Sequence, residues 1–394
     1  MIVEPRIRNN LCMNAHPLGC EKYVHDQIEY VRSSGAVGGP KNALIIGSST
    51  GYGLASRIVA AFGSGSGTLG VAFEAPAKGS RTATVGWYND RALLKALDAW
   101  EEGSPGAARH RTILGDAFSH GVKSQVVERI REMFGTVDLV VYSLASPIRI
   151  DPDTGERYTS VLKPVGKPYN SVTLDAANGT LKKASLDPAT PEEVAATVKV
   201  MGGEDWQLWM RVLREAGVLS ENVRTVAYSY IGPEITFPLY RDGSIGKAKE
   251  HLEASASAIT GELEGIGGSA FVSINKALVT RASSVIPAVS LYMAILYRVM
   301  KKKGLHEETI EQIYRLFRDR LYTGKPLETD GKGRIRIDDW EMREDVQREV
   351  QEAWNRVSEE NLRDVSDIDG YFKAFLNIHG FGYDSVDYTA DVEV

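Results

Sequence analysis

The chain has 394 residues, 43% of them hydrophobic, enough to bury a large core in one big domain or two small ones. With 46 Lys and Arg against 52 Asp and Glu, the formal net charge is −6, so no global basic excess favours nucleic acid. Two cysteines, Cys12 and Cys20, exclude a disulfide-dense scaffold and fit a reducing cytoplasm; with His16 between them they fall short of the four ligands of a structural zinc.

The opening MIVEPRIRNN lacks the apolar stretch of a secretory signal, so a cytoplasmic protein is expected. Residues 42–47 (NALIIG) form a short apolar run ending in glycine, which suits a buried parallel strand. A helix is predicted from about Tyr52 through Phe62. A second strand, 69–74 (LGVAFE), ends in a carboxylate. Residues 111–116 (RTILGD) read as a third strand, 125–134 as a helix, and 138–143 (DLVVYS) as a fourth strand. Residues 151–191 break this rhythm: they are polar, rich in Pro and Gly, and carry Asn178-Gly179, a hairpin-turn dipeptide. They read as an insertion at the rim of a site, reaching to about 223, with helices that include 201–206 (MGGEDW).

Residues 224–229 (RTVAYS) and 270–275 (AFVSIN) supply two more strands. Strands alternating with helices imply a parallel sheet covered on both faces, a doubly wound α/β fold. The apolar run 285–300 (VIPAVSLYMAILYRVM) is too short to span a membrane and contains Pro287 and Arg298, so it reads as a buried helix. Residues 334–338 (RIRID) look like a small edge strand, and 344–357 like a charged surface helix. No flexible interdomain linker is visible. One enlarged domain over 1–394 is expected, with the insertion at 151–223 and helical additions at 283–394.

Gly47-Ser48-Ser49-Thr50-Gly51-Tyr52-Gly53 lies between a predicted strand and a predicted helix. Glycine lets the backbone turn sharply and approach a pyrophosphate, and the helix N-terminus offers unpaired N–H groups to the phosphates. Glu74 ends the second strand, where an acid can accept hydrogen bonds from an adenosine ribose and repel a 2′-phosphate; NADH is therefore expected over NADPH. Sheet topology puts Asp116 and Ala117 near an adenine ring, and Leu144 and Ala145 beside a nicotinamide.

Tyr240 precedes Lys249 by nine positions, with Tyr230 just upstream. A tyrosine is protonated at neutral pH and can donate to an oxygen that gains charge, and a lysine can hold the cofactor ribose. Nine residues of regular helix span about 2.5 turns and would put the two on opposite faces. Gly243 and Ser244 offer the break, with Tyr240 on a loop and Lys249 inside the helix. Lys247 is the competing lysine.

These residues carry a resemblance. GSSTGYG at Gly47, FE at Phe73, YSLASP at Tyr142, MGGEDW at Met201, AYSYIGP at Ala227, Tyr240-x8-Lys249 and KALVTRAS at Lys276 resemble the trans-2-enoyl-CoA reductase family, which includes the V-class enoyl-acyl-carrier-protein reductases. The resemblance spans essentially the whole chain. It implies a Rossmann-type, enlarged short-chain dehydrogenase/reductase core with N- and C-terminal additions, acting as a monomer. It also implies NADH-dependent reduction of the C2–C3 double bond of an enoyl thioester such as crotonyl-CoA. Tyr240 is then the catalytic acid, Lys249 the cofactor-holding lysine and Tyr230 a thioester contact. Cofactor contacts fall on Gly47 to Tyr52, Phe73, Glu74, Asp116, Ala117, Leu144, Ala145, Leu278, Val279 and Thr280. The 285–300 helix would line the acyl chain, with Ile286 or Leu291 setting its length.

Three alternatives stand beside this reading. The first is an enoyl-acyl-carrier-protein reductase of fatty-acid synthesis. The second is a carbonyl reductase, which would pair its tyrosine with a lysine one helical turn on; Ser244 stands there instead. The third is a non-catalytic NADH-sensing module, which gives no reason for Tyr240 and Lys249.

Overall fold

The computed structural model describes residues 1–8, 11–101, 109–175, 179–284, 286 and 289–394. Among them, seven strands form one sheet: β1 (Asn42–Ile46), β2 (Gly67–Ala72), β3 (His110–Leu114), β4 (Val137–Tyr142), β5 (Leu219–Ser229), β6 (Ser269–Ile274) and β7 (Ile335–Arg336). Their order is β7-β6-β5-β4-β1-β2-β3, and every neighbouring pair is parallel. This is the doubly wound order, with the chain reversing direction across the sheet between β1 and β4. Ligands of such sheets bind beyond the strand ends at that switch.

The alternation of strand side chains sorts the core onto two faces. Ala43, Ile45, Leu139, Val141 and Val226 face a layer that includes helices Gly51–Ile58 and Val85–Glu101. Leu44, Ile46, Val140, Tyr142 and Ala227 face helices His120–Met133, Glu204–Glu215 and Ser244–Leu263. A third apolar cluster gathers around the helix Val289–Lys302, which is buried on nearly every side against Glu344–Arg356 and Ile368–Asn377. Tyr240, Ile245, Ile286 and Leu291 all belong to it.

Several expectations shift. The first helix is α-helical only over Gly51–Ile58 and continues as a π turn, Val59–Gly63. Residues 201–206 are not helical throughout: Pro191–Met201 ends there, Gly202 and Gly203 break the chain, and a new helix starts at Glu204. The charged helix Glu344–Arg356 is not a purely surface element, because Val346, Val350 and Ala353 bury one face against the Val289–Lys302 helix. Inside the 151–191 stretch, Tyr169–Asp175 pairs antiparallel with Thr180–Leu186. Asn178 of the dipeptide between them lies outside the described residues, as do Val285 and Pro287 of the long apolar run.

The beginning and end of the chain pack together. His16 N donates to His379 O at 3.1 Å, and Gly19 sits so close to Gly380 that a Cβ at Gly19 would collide with its carbonyl. Val3, Phe381 and Val392 form a small cluster beside them. His16 caps the helix Pro17–Ser34 by accepting from Gly19 N at 3.3 Å, and Cys20 is buried below it. Among the described residues no helix is long and apolar enough to cross a membrane.

Candidate active site

The glycine turn sits at the switch point. Ser143 N, just past β4, donates to Ile46 O at the end of β1 at 2.8 Å. Gly47 has φ +86°, and a Cβ on it would strike the Ser143 carbonyl. A Cβ on Gly53 would strike the Gly47 carbonyl. Both glycines are therefore steric requirements of the turn that presents the helix N-terminus at Gly51. Leu144 and Ala145 follow β4 on the same edge.

β2 ends at Ala72, leaving Phe73 and Glu74 beyond it. Ser49 Oγ donates to Glu74 Oε1 at 2.6 Å, tying the carboxylate to the glycine turn. Gly86 makes room for it, since a Cβ there would meet Glu74 Oε1. Phe73 is 80% exposed, an apolar ring open to be covered. On the other side of the turn, Thr50, Gly51, Asn89, Val279, Thr280 and Arg281 line a cleft. This cleft lies beside the glycine turn and does not reach Tyr240.

Asp116 and Ala117 follow β3 and are fixed by a buried network that the sequence did not reveal. Lys123 Nζ donates to Ala117 O at 3.0 Å, to Phe118 O at 2.9 Å and to Asp205 Oδ1 at 2.8 Å. Tyr142 donates to Asp205 Oδ2 at 3.1 Å, and Trp209 Nε1 to Ala117 O at 3.1 Å. The MGGEDW stretch is the hub. Gly202 and Gly203 lie against His251 and Ser255 with no space for side chains, which turns the chain so that Asp205 and Trp206 point inward.

The strap after β6 carries Leu278 to Thr280 and is held by side chains. Ala277 N donates to Glu341 Oε2 at 2.7 Å, Val279 N to Tyr297 Oη at 3.2 Å, and Tyr52 Oη to Lys276 O at 2.9 Å. Tyr52 thus links the glycine turn to this strap.

Tyr240 stands in the turn ahead of the helix Ser244–Leu263, and Lys249 lies about 1.4 turns inside it. The turn is tight: a Cβ on Gly246 would hit the carbonyls of Tyr240 and Arg241. Lys249 points inward and donates to Tyr228 O at 3.2 Å, whereas Lys247 is exposed and pairs with Glu250 at 3.0 Å. Burial lowers the Lys249 ammonium from 10.5 to about 8, with Glu253 opposing. The ring of Tyr240 meets that of Tyr230 edge-on at 4.7 Å. Burial, reinforced by Glu341, pushes both phenols well above their ordinary value. Glu341 is fully buried: it accepts from Tyr230 Oη at 3.0 Å and Tyr292 Oη at 2.6 Å. It is one carboxylate in an acidic run (IDDWEMRED), with no local pattern to single it out.

A doubly wound sheet with a glycine turn at its switch point, an acid at the end of the second strand, and an inward lysine behind a tyrosine turn defines a nicotinamide-dependent oxidoreductase of the short-chain class. A family model described as the trans-2-enoyl-CoA reductase catalytic region matches residues 81–322, and one described as the NAD(P)H binding domain of trans-2-enoyl-CoA reductase matches residues 2–79. The chain belongs to the trans-2-enoyl-CoA reductase family. It is 53% identical to an enoyl-[acyl-carrier-protein] reductase [NADH] of Cytophaga hutchinsonii, over 100% of this chain and 98% of that one. It is 52% identical to a trans-2-enoyl-CoA reductase [NADH] of Clostridium perfringens, over 100% and 99%. The crystal structure of the Clostridium acetobutulicum trans-2-enoyl-CoA reductase in complex with NADH superimposes with a TM-score of 0.96 at 42% identity, covering 100% of this chain and 98% of that one.

A third family model, described as an enoyl reductase FAD binding domain, matches residues 329–392. The residues there do not fit a flavin. β7 runs into Ile337-Asp338-Asp339-Trp340 with no glycine turn, the helices beyond it pack into the third cluster, and Arg315, Arg320 and Arg336 are engaged by Asp339 and Asp338. What the segment gives the site is Glu341.

Proposed function

We propose that this protein uses NADH to reduce the C2–C3 double bond of trans-2-enoyl thioesters, with a short enoyl-CoA such as crotonyl-CoA as substrate. The observation that carries this is the Tyr240 hydroxyl, which no described residue engages, beside Tyr230 and ahead of the inward Lys249. The residues present fit a dinucleotide: Gly47 to Tyr52 for the pyrophosphate, Phe73 and Glu74 for the adenosine ribose, and Asp116 and Ala117 for the adenine. Leu144, Ala145 and Leu278 to Thr280 border the nicotinamide half. Glu74 favours NADH because its carboxylate would repel a 2′-phosphate. Bound NADH supplies the hydride that reaches the β-carbon of the thioester. Tyr240 donates to the carbonyl oxygen, where enolate charge develops, and this electrostatic support at the developing charge is what lowers the barrier; a proton delivered to the α-carbon, from Tyr240 directly or through the enol, completes the saturated thioester. Lys249 holds the cofactor ribose. Tyr230 contacts the thioester, and Ile286 and Leu291 border the acyl chain.

The relatives at 53% and 52% identity carry acyl-carrier-protein and CoA names respectively, so the carrier-bound thioester is the second reading. The protein is taken as a cytoplasmic monomer, one enlarged domain with the insertion at 151–223 and additions at 283–394. Steady-state NADH oxidation with crotonyl-CoA, beside an enoyl-carrier substrate, separates the two readings. Tyr240→Phe should cut kcat by about 100-fold or more while leaving NADH affinity within about twofold. Wild-type kcat in that variant refutes the assignment.

A further inference from the structure

Two tyrosines stand edge to face where the thioester oxygen is expected, yet each phenol has a single proton to give. The Tyr230 proton is already engaged by Glu341 Oε1 at 3.0 Å, the oxygen that also accepts from Tyr292 at 2.6 Å. The other oxygen, Oε2, faces Ala277 N at 2.7 Å, a group that can only donate. Burial pushes the Glu341 carboxyl above its ordinary value, and the three donors that converge on it pull the other way, towards its ionised form. Gln347 Nε2 secures the cluster from behind, donating to Glu341 O at 2.7 Å and to Tyr292 Oη at 3.2 Å. The Lys276 ammonium, whose charge acts on Glu341, is directed instead at Ala277 O at 3.2 Å and Glu307 O at 3.1 Å. Asp338 on the same segment is paired with Arg336. No described residue engages the Tyr240 hydroxyl.

Resting on the reductase reading above, we propose that Glu341 is a positioning residue: it holds the Tyr230 proton, so that Tyr240 is the phenol left free to donate to the thioester oxygen. Tyr230 then presents its ring and its lone pairs to the substrate, not its proton. Burial keeps the Tyr240 phenol protonated, and the charge of Glu341 adds to that by opposing its ionisation. The carboxylate arrives from a segment distant in sequence from both tyrosines, and it bridges the strap after β6, the end of β5 and the helix Val289–Lys302.

The test is a double-mutant cycle between Glu341→Gln and Tyr230→Phe, read as kcat and KM with crotonyl-CoA and NADH. A glutamine must turn its carbonyl to Ala277 N, so its NH2 group faces the phenols and the Tyr230 proton is released. We expect Glu341→Gln to lower kcat about tenfold with KM for NADH within about twofold, and to lower it less than about twofold further in the Tyr230→Phe background. Equal losses in both backgrounds, or wild-type kcat in a folded Glu341→Gln, overturn the proposal. If Glu341→Gln does not fold, Tyr292→Phe serves: it leaves the carboxylate to Tyr230 and should lower kcat less than about threefold. A kcat loss of about tenfold or more in a folded Tyr292→Phe overturns the proposal too. Wild-type turnover of crotonyl-CoA is the control for the underlying reading: its absence refutes that reading, whereas turnover with an additive cycle refutes only the role of Glu341.

Discussion

Lys249→Met should make the protein more stable while it cripples cofactor use. The Lys249 ammonium is held in an apolar setting that lowers it from an ordinary 10.5 to about 8. A tenfold change in proton affinity is worth about 1.4 kcal/mol, so the drop corresponds to ~3 kcal/mol of destabilisation at pH 7. Allowing for the partial exposure of the side chain leaves ~2 kcal/mol. The sign follows from the two states. Below about pH 8 the lysine is charged in both, and the folded protein carries the full desolvation cost. From pH 8 to 10.5 the folded form gives up the proton while the unfolded chain keeps it, so the cost fades as pH rises. Methionine fills a similar volume with no charge. For a chain of 394 residues, ~2 kcal/mol corresponds to a Tm rise of roughly 2–3 °C. Thermal unfolding of the cofactor-free proteins at pH 7 and pH 9.5 measures it, and the gain should fall by more than half at the higher pH. A Lys249→Met variant that is folded yet less stable than wild type at pH 7, or a gain independent of pH, would refute the reasoning. The same titration predicts that wild-type NADH affinity weakens as pH rises through about 8.

Other substitutions test separate parts of the site. Glu74→Gln removes the charge that Ser49 holds at the end of β2. The NADH-to-NADPH ratio of kcat/KM should fall about tenfold or more, and an unchanged ratio would remove Glu74 from cofactor choice. Asp205→Asn leaves the buried Lys123 ammonium without its counter-ion and should cost about 3 kcal/mol by denaturant unfolding. Gly53→Ala places a methyl against the Gly47 carbonyl and should abolish NADH binding measured by fluorescence titration. Leu291→Ala, in the cluster shared with Tyr240, should shift the ratio of rates on long and short enoyl-CoA towards the long; an unchanged ratio would take the helix out of length selection.

Much of this architecture is written in local patterns. The apolar runs at 42–47, 138–143 and 270–275 fall on strands of the sheet, because a strand buried on both faces must be apolar throughout, and the more polar 111–116 falls on its partly exposed edge strand. The break at Gly243 and Ser244 was legible because nine residues of helix cannot serve one site. What escaped reading depends on partners distant in sequence. Gly202 and Gly203 are demanded by His251 and Ser255, about fifty residues on. The apolar side of Glu344–Arg356 is only three small or branched residues among charges. Glu341 is unremarkable until folding sets it between two tyrosines from other segments.

The contact between the first and last stretches of the chain has a bearing on how the molecule is made. A ribosome delivers residues in order, so the segment around His16 and Gly19 emerges long before His379 and Gly380, the partners that secure it. The glycine turn, Lys249 and the strap to Thr280 are all delivered before Glu341. A nascent chain would therefore assemble its nucleotide pocket first and complete its acid–tyrosine cluster last; the helix Pro17–Ser34 can pack early, since its Val24, Ile28 and Val31 share a cluster with Leu54 and Leu93, and only its contact with Gly380 waits to close a very long loop.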